Sequence, residues 1–308
     1  MTSHTAKLTP EQAEALRGIL AKRDFESAEV PHAVFSYKRP KLAITWYKSG
    51  KLLIQGKGTQ EFVEFTLEPE LLGQAAFADA LDAQPEQLEP RLGVDESGKG
   101  DFFGPLVVAG VYVNEPVARA LDGLGVKDSK AIASDKKIAA LAKGIRDTTG
   151  CVYSVVPIGN ASYNRLHQKM RNVNKILAWG HARVIENLLG QRDRMNPAPL
   201  RAISDQFARS KATIQSALME EGRQLKLVQM HKAESDIAVA AASILARDLF
   251  VQRLSALGRE FDLELPKGAS SKVDAAGAAF LKKHGMDKLG QAAKLHFRTT
   301  QKIQASLL

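Results

Sequence analysis

The stretch Gly93–Val113, which reads GVDESGKGDFFGPLVVAGVYV, constrains what the chain can fold into more than any other. A short apolar run ends in the adjacent carboxylates Asp95 and Glu96, and a glycine-rich, charged segment separates them from the unbroken apolar run Leu106–Val113. This order is typical of a strand, an irregular loop and a second strand, and the loop is too charged to be a plain structural turn. We therefore expect a β-ribbon in a buried sheet, with both carboxylates at the exit of its first strand.

The two adjacent carboxylates repel each other unless a cation lies between them. An isolated Asp-Glu pair is usually a pair of loop acids in water. Here Val94 and the apolar run that begins at Leu106 hold the pair at the edge of a buried sheet. That setting favours a cation-binding site.

The string DESGKGDFFGP, with the apolar strand that follows it, resembles the motif of the type 2 ribonucleases H. Within that family it is similar to the ribonucleases HIII, where GKG stands in place of the GRG of ribonuclease HII. The resemblance runs from Leu92 almost to the C-terminus and is weaker over the first domain. The further matching blocks are DSK at 128–130, DQF at 205–207, HKAES at 231–235 with VAAASILAR after it, LPKGAS at 265–270 and AKLHFRTT at 293–300. The resemblance implies an α/β fold, a ribonuclease H-like mixed sheet flanked by helices. It also implies an endonuclease that hydrolyses the RNA strand of RNA/DNA hybrids and leaves 5′-phosphate and 3′-hydroxyl ends.

A length of 308 residues allows two domains. Thr9-Pro10-Glu11-Gln12 predicts a capped helix start, and period-two runs between Ala33 and Gln55 predict antiparallel strands. A second helix is predicted from about Glu70 to Leu81, and Ala83–Leu92 is interpreted as a linker. We therefore expect an N-terminal substrate-binding domain over residues 1–85 and a ribonuclease H catalytic domain over 86–308. The resemblance implies that the first, a small α+β domain, is similar to the TATA-box-binding protein fold.

The formal net charge of +9 favours a polyanionic partner. Six cations fall within Lys38–Lys57, a span without an acid, and Tyr37, Trp46 and Tyr47 lie among or beside them. This pattern suits a nucleic-acid backbone, and it is equally typical of a solvated sheet face with Trp46 in the core. Cys151 is the single cysteine, which excludes an internal disulfide. Without a signal-peptide core or a membrane span, we expect a cytoplasmic monomer that binds RNA/DNA hybrid and no membrane.

A third carboxylate, Asp205, stands at the C-terminal end of the strand predicted over Leu200–Ser204. Ligands gather beyond the carboxyl ends of strands in open α/β sheets, so Asp205 is a candidate on position alone. The fourth comes from the resemblance: alignment on Lys232-Ala233 selects Glu234. Asp236 remains the alternative, since it lies slightly further into the same helix start.

Four clustered carboxylates require bound cations, and hard oxygen ligands suit Mg²⁺ or Mn²⁺ better than zinc. We expect two such ions held by Asp95, Glu96, Asp205 and Glu234, which serve as both catalytic and metal-binding residues. Selectivity then has to come from the groove, and the 2′-hydroxyl distinguishes RNA from DNA. The GKG loop, which comprises Ser97, Gly98, Lys99 and Gly100, is therefore predicted to bind the RNA strand.

Several segments keep two interpretations. The polar stretch Asn160–Lys175 suits phosphate or 2′-hydroxyl binding and also suits helix capping, and Asp128-Ser129-Lys130 can be a family element or a loop with Ser129 or Ser134 as an N-cap. Two rival functions also remain. Ribonuclease HII also cuts at a lone ribonucleotide in DNA, and GKG in place of GRG together with the extra N-terminal domain argues against it. A non-catalytic nucleic-acid-binding protein would have no use for four acids beside a phosphate groove.

Overall fold

The computed structural model describes residues 3–21, 23, 25–63, 66–67, 88–127, 129, 132–205, 217–218, 220–230 and 233–305. The chain divides into two compact units, Met1–Ala83 and Gln84–Leu308. The boundary predicted at residues 85 and 86 and the helix predicted over Glu70–Leu81 lie outside the described residues. Among the helices that are described, none is long and apolar enough to cross a membrane.

The first unit contains a five-stranded antiparallel sheet in the order β1-β5-β4-β3-β2. Helix α1 begins as predicted, because the Thr9 amide donates to Gln12 Oε1 and the Gln12 amide donates to Thr9 Oγ1. The buried side chains Leu16 and Leu20 of α1 belong to one core cluster with Ile44 and Ile54 of the sheet. The elements of this unit are β1 Ser3–Lys7, α1 Pro10–Ala21, β2 Glu26–Ser27, β3 Ala33–Arg39, β4 Leu42–Tyr47, β5 Lys51–Gln55 and α2 Thr59–Phe62.

The second unit is built on a mixed five-stranded sheet in the order β10-β9-β6-β7-β8. Strands β6, β7 and β8 pair antiparallel, whereas β9 runs parallel to both β6 and β10. The strands are β6 Arg91–Ser97, β7 Leu106–Val113, β8 Val152–Ile158, β9 Arg201–Asp205 and β10 Lys226–Met230. The fold is therefore the mixed sheet with flanking helices expected from the sequence.

Helices cover both faces of this sheet. On one face lies the 24-residue helix α8, and on the other lies α6. Every residue of β7 is buried between them, which accounts for its unbroken apolar sequence. The helices are α3 Glu115–Gly123, α4 Asp135–Asp147, α5 Asn160–Met170, α6 Val173–Leu189, α7 Glu220–Gln224, α8 Ile237–Glu260, α9 Ser271–His284, α10 Met286–Ala292 and α11 Arg298–Ala305, with 3₁₀ turns at Arg192–Arg194 and Ala233–Ser235.

Two segments differ from the sequence interpretation. Arg91 and Leu92, assigned to the linker, are the first residues of β6 because Leu92 packs into the core and Arg91 pairs with a buried acid. The polar stretch Asn160–Lys175 is mostly helical, since it contains α5 and the start of α6.

Candidate active site

The side chains of β6 alternate between the two helical layers. Gly93 lies against α8 so closely that an added Cβ would be 2.2 Å from the carbonyl carbon of Ala238. Leu92 and Val94 instead belong to the core cluster that contains α6. Since successive strand residues point to opposite faces, Asp95 lies on the α8 side of the sheet and Glu96 on the α6 side.

Asp95 and Asp205 end neighbouring parallel strands. The β6–β9 register pairs Gly93 with Ile203 and Val94 with Ser204, so the next step along both strands brings Asp95 beside Asp205. Ile203 packs with Ala233 and with Val239 of α8, which places its face-mate Asp205 on the α8 side as well. The two aspartates therefore share one face at the carboxyl edge of the sheet.

The fourth predicted acid, Glu234, lies in the segment that connects β10 to α8. Glu234 lies in the 3₁₀ turn Ala233–Ser235, which contacts β9, and its side chain is half-buried. Its neighbour Ala233 packs with Ile203 and Val239, so the turn that carries Glu234 lies on the same side of the sheet as Asp95 and Asp205.

The alternative acid, Asp236, has a structural role. Its Oδ2 accepts from Arg91 Nε at 2.7 Å, and its Oδ1 accepts from the Ala238 amide at 2.8 Å as the N-cap of α8. Both partners of the ion pair are buried. Two fixed hydrogen bonds leave Asp236 poorly placed to bind a metal ion, and this supports Glu234 as the fourth ligand.

Glu96 is held by His181 and Lys99. Its Oε2 lies 2.9 Å from Nε2 of His181 on α6, and its Oε1 lies 3.6 Å from Lys99 Nζ. Burial alone would raise the pKa of Glu96, but the hydrogen bond and charge of His181, together with Lys99, hold its pKa below the ordinary value. An ionised carboxylate only accepts, so Nε2 of His181 carries the proton and donates.

The four predicted ligands lie on adjacent elements but do not form a metal-binding cluster in this structure. Within the described ranges, no three His, Cys, Asp or Glu side chains form a group that could hold a metal ion. The donor chemistry nevertheless fits a hard divalent cation, since Asp95 and Asp205 end neighbouring strands at one sheet edge and all four acids offer carboxylate oxygens.

The GKG loop contains two different kinds of glycine. Gly98 has φ +89°, and a Cβ there would lie 2.2 Å from the Pro105 carbonyl oxygen, so its lack of a side chain serves the loop's own close contacts. Gly100 is open: a Cβ there would meet no atom of the described chain within 4 Å. Of the two glycines, Gly100 is therefore the one where a ligand strand has room to approach the backbone.

Residues from the C-terminal part of the chain hydrogen-bond to Asp101 and Gly104, which follow this loop. The Gly268 amide donates to Asp101 Oδ1 at 2.6 Å, and Lys294 Nζ donates to the carbonyl oxygens of Asp101 and Gly104 at 2.8 and 2.6 Å. Lys294 is completely buried, and this burial lowers its pKa to about 7 although nearby Asp101 opposes the shift. Lys294 is thus a structural residue that holds the backbone between Asp101 and Gly104.

The polar residues of α5 and of the loop before α4 serve mainly in capping and anchoring. Asn160 donates to the Gly104 carbonyl, and Asn172 caps α6 by accepting from the Asn174 amide. Ser134 caps α4, while Ser129 is buried with its hydroxyl 2.5 Å from that of Ser243. Asp128 and Lys130, the other members of the DSK element, lie outside the described residues.

Three residues around the site were not identified from the sequence. His181 is one polar residue among apolar positions of a buried helix, a pattern more typical of a core histidine. Arg91 precedes an apolar run and looked like part of a linker, and Lys294 is one lysine in a basic tail. Each acquires its role from a partner about 85 to 193 positions away in sequence, which no local pattern indicates.

The family model described as Ribonuclease HII matches residues 92–300, and a model described as a domain of unknown function matches residues 4–72. The chain is 44% identical over 300 residues to ribonuclease HIII of Chlamydia pneumoniae, with 96% of each chain covered. It is 42% identical over 307 residues to ribonuclease HIII of Chlamydia trachomatis serovar L2, covering 99% of this chain and 98% of that one. A crystal structure of Bst-RNase HIII in complex with Mn²⁺ superimposes with a TM-score of 0.67 at 33% identity, covering 99% of both chains. The chain therefore belongs to the type 2 ribonuclease H family and, over nearly its full length, to the ribonuclease HIII group within it.

Proposed function

We propose that this ribonuclease H cuts the RNA strand of RNA/DNA hybrids endonucleolytically, with two divalent metal ions, and leaves 5′-phosphate and 3′-hydroxyl ends. The observation that carries the proposal is the placement of Asp95 and Asp205 side by side at the carboxyl edge of the sheet. The full-length similarity to ribonucleases HIII, one of them solved with Mn²⁺, supports both the substrate and the need for a divalent cation.

Asp95, Glu96, Asp205 and Glu234 would hold the metal ions. Bound Mg²⁺ or Mn²⁺ would activate a water molecule and stabilise negative charge on the scissile phosphate and on the departing 3′-oxygen. The chain's own residues would orient the reacting groups: Lys99, half-exposed on the loop, would contact a phosphate, and the open backbone at Gly100 would approach a 2′-hydroxyl.

In the N-terminal unit, we propose that the sheet face opposite α1 binds phosphates. Ala6 and Leu52 pack toward α1, so their neighbours Lys7 and Lys51 lie on the other face, directly opposite each other and exposed. Like charges facing each other across antiparallel strands destabilise a sheet, so this pair is favoured by an anionic partner. Trp46 instead stacks on Phe35 in the core, which argues against a base-stacking role for its ring.

The phosphate-binding face can be tested by salt titration of hybrid binding. Replacing Lys7 and Lys51 together by Gln should reduce the slope of log K against log salt by roughly two, since each lost phosphate contact removes about one. Arg17→Gln is the matched control, because Arg17 lies on α1 at the opposite face and pairs with Glu14. An unchanged slope in the double variant would remove this face from the substrate-binding surface.

The substrate assignment is tested by comparing two labelled duplexes with and without Mg²⁺. One is an RNA/DNA hybrid and the other is a DNA duplex with a single ribonucleotide. We expect metal-dependent cutting of the hybrid, with 5′-phosphate ends, and little cutting of the other duplex, since the compact ammonium of Lys99 cannot make the paired contacts of an arginine fork. The match of the Ribonuclease HII model to residues 92–300 makes the single-ribonucleotide activity the second candidate, and efficient incision there would favour it.

A further inference from the structure

His181 contacts one of the candidate metal ligands, Glu96, from inside the core. It is completely buried on α6, and its Nε2 donates to Glu96 Oε2 at 2.9 Å. A buried histidine directed at one oxygen of an acid at the sheet edge fixes that side chain in one rotamer. The remaining oxygen, Oε1, faces Lys99 Nζ at 3.6 Å.

The position of His181 is set by close helix-to-sheet contacts. A Cβ on Gly180 would lie 2.8 Å from Cγ2 of Val108, and a Cβ on Gly110 would lie 2.5 Å from Cγ1 of Val184. Val108 is the residue paired with Glu96 across the β6–β7 ladder. Because Gly180 and Gly110 lack side chains, α6 packs directly against the sheet next to the position of Glu96.

The two partners of Glu96 differ in how far their side chains are exposed to solvent. The His181 side chain is 0% exposed and cannot leave without moving α6, whereas the Lys99 side chain is 42% exposed on a loop. A cation that approaches Glu96 can replace Lys99 and cannot replace His181.

We propose that His181 is a positioning residue: its hydrogen bond to Oε2 of Glu96 leaves Oε1 as the oxygen that binds a divalent metal ion. Before the metal ion binds, Lys99 pairs with Oε1, and the metal ion then displaces it. The inference rests on the proposed role of Glu96 as a metal ligand. Once displaced from Glu96, Lys99 would contact a substrate phosphate. The same lysine thus neutralises the acid before the metal ion arrives and contacts the substrate afterwards.

The two partners should have opposite effects on metal binding when no substrate is present. Hydrogen-bonded partners of metal ligands typically contribute about 10–100-fold in affinity. In calorimetric titrations with Mn²⁺ alone, His181→Phe should bind Mn²⁺ about 10-fold or more weakly, and His181→Gln, whose amide N–H can replace Nε2, should recover most of the loss. Lys99→Gln should bind Mn²⁺ more tightly than the parent, because the competing cation is gone.

Kinetics with labelled hybrid add a second readout. At saturating metal, His181→Phe should lower kcat with little change in KM, whereas Lys99→Gln should raise KM. Thermal unfolding identifies variants that do not fold, and His181→Asn, whose shorter amide cannot reach Glu96, replaces His181→Phe if that variant is unfolded.

Parental Mn²⁺ affinity in a folded His181→Phe or His181→Asn protein would overturn the role of His181, and weaker binding by Lys99→Gln would overturn the displacement of Lys99. A parent enzyme that fails to cut hybrid while the Mn²⁺ affinities follow the expected order would contradict the proposed function and leave the role of His181 standing.

Discussion

At the residue scale, the structure separates acids that sequence alone could not distinguish. Glu234 and Asp236 are two positions apart, and both lie near the start of a buried helix. Asp236 is fixed by Arg91 and by the helix amide of Ala238, whereas Glu234 lies on the turn that contacts β9. The difference arises from Arg91, which is 145 positions away from Asp236 in sequence.

Asp236→Ala should therefore be a stability variant. It leaves the guanidinium of Arg91 buried without its acid and removes the cap of α8, which should cost about 3–5 kcal/mol of unfolding free energy. Glu234→Gln should lose Mg²⁺-dependent cleavage with little change in that free energy. Denaturant unfolding and cleavage assays of both variants check this, and the reverse pattern would make Asp236 the fourth ligand.

Lys294 should give the protein a pH-dependent stability. Its pKa falls from 10.5 to about 7 on folding, so between these values the unfolded chain binds one more proton than the folded one. The free energy of unfolding should then rise with pH from about 7 to about 10.5, by at most about 1.4 kcal/mol per pH unit.

Denaturant titrations of the parent and of Lys294→Met between pH 7.5 and 9 test this dependence, with Lys302→Met, which removes an exposed lysine, as the control. The Lys294→Met protein should lack this part of the pH dependence, and the control should keep it. Equal slopes in the parent and Lys294→Met would show that Lys294 stays charged in the folded protein.

At the element scale, the sheet strands and long helices could be predicted because their apolar patterns are strong. The runs ending at Glu96, Asp205 and Met230 appear as β6, β9 and β10, and the Ala-rich segment from Ile237 is α8. The strand order could not be read from the sequence, because it depends on contacts between distant segments. It is this order, with β9 beside β6, that brings Asp205 to Asp95.

The closeness of β6 and α8 should make Gly93 intolerant of a side chain. A Cβ would lie 2.2 Å from the Ala238 carbonyl carbon and 2.3 Å from the Val239 nitrogen, both backbone atoms that can yield only if the helix moves. Gly93→Ala should lower the free energy of unfolding by about 1–3 kcal/mol or more. Gly100→Ala, at an open position, should stay within about 0.5 kcal/mol of the parent in the same denaturant titration. Equal stability of the two variants would contradict the close contact.

At the scale of the whole molecule, the first unit contains the acid-free basic span Lys38–Lys57, and the second unit contains the four candidate metal ligands. Composition indicated a polyanionic partner, and the resemblance indicated the second unit's fold. The faces of the first sheet could be assigned only from its register, which sets Lys7 and Lys51 opposite each other.

Removal of residues 1–85 should therefore raise KM for hybrid more than it lowers kcat. The reason is that the deleted cations are proposed to hold phosphates, whereas the candidate metal ligands all lie in the second unit. Steady-state kinetics at two salt concentrations check this. If the truncated enzyme keeps both the KM and the salt dependence of the parent, the first unit does not bind substrate.

The central claim is that Asp95, Glu96, Asp205 and Glu234 form one metal-dependent site. Its most direct test is the cleavage rate of a labelled RNA/DNA hybrid, measured across a Mg²⁺ titration for Asp95→Asn, Glu96→Gln, Asp205→Asn and Glu234→Gln beside the parent. Since a metal ion contributes several kcal/mol to such a reaction, each folded variant should lose about a hundredfold or more in rate at every Mg²⁺ concentration. A folded variant that keeps the parent's rate and Mg²⁺ dependence would contradict the assignment of that residue, and parental behaviour in all four would contradict the site.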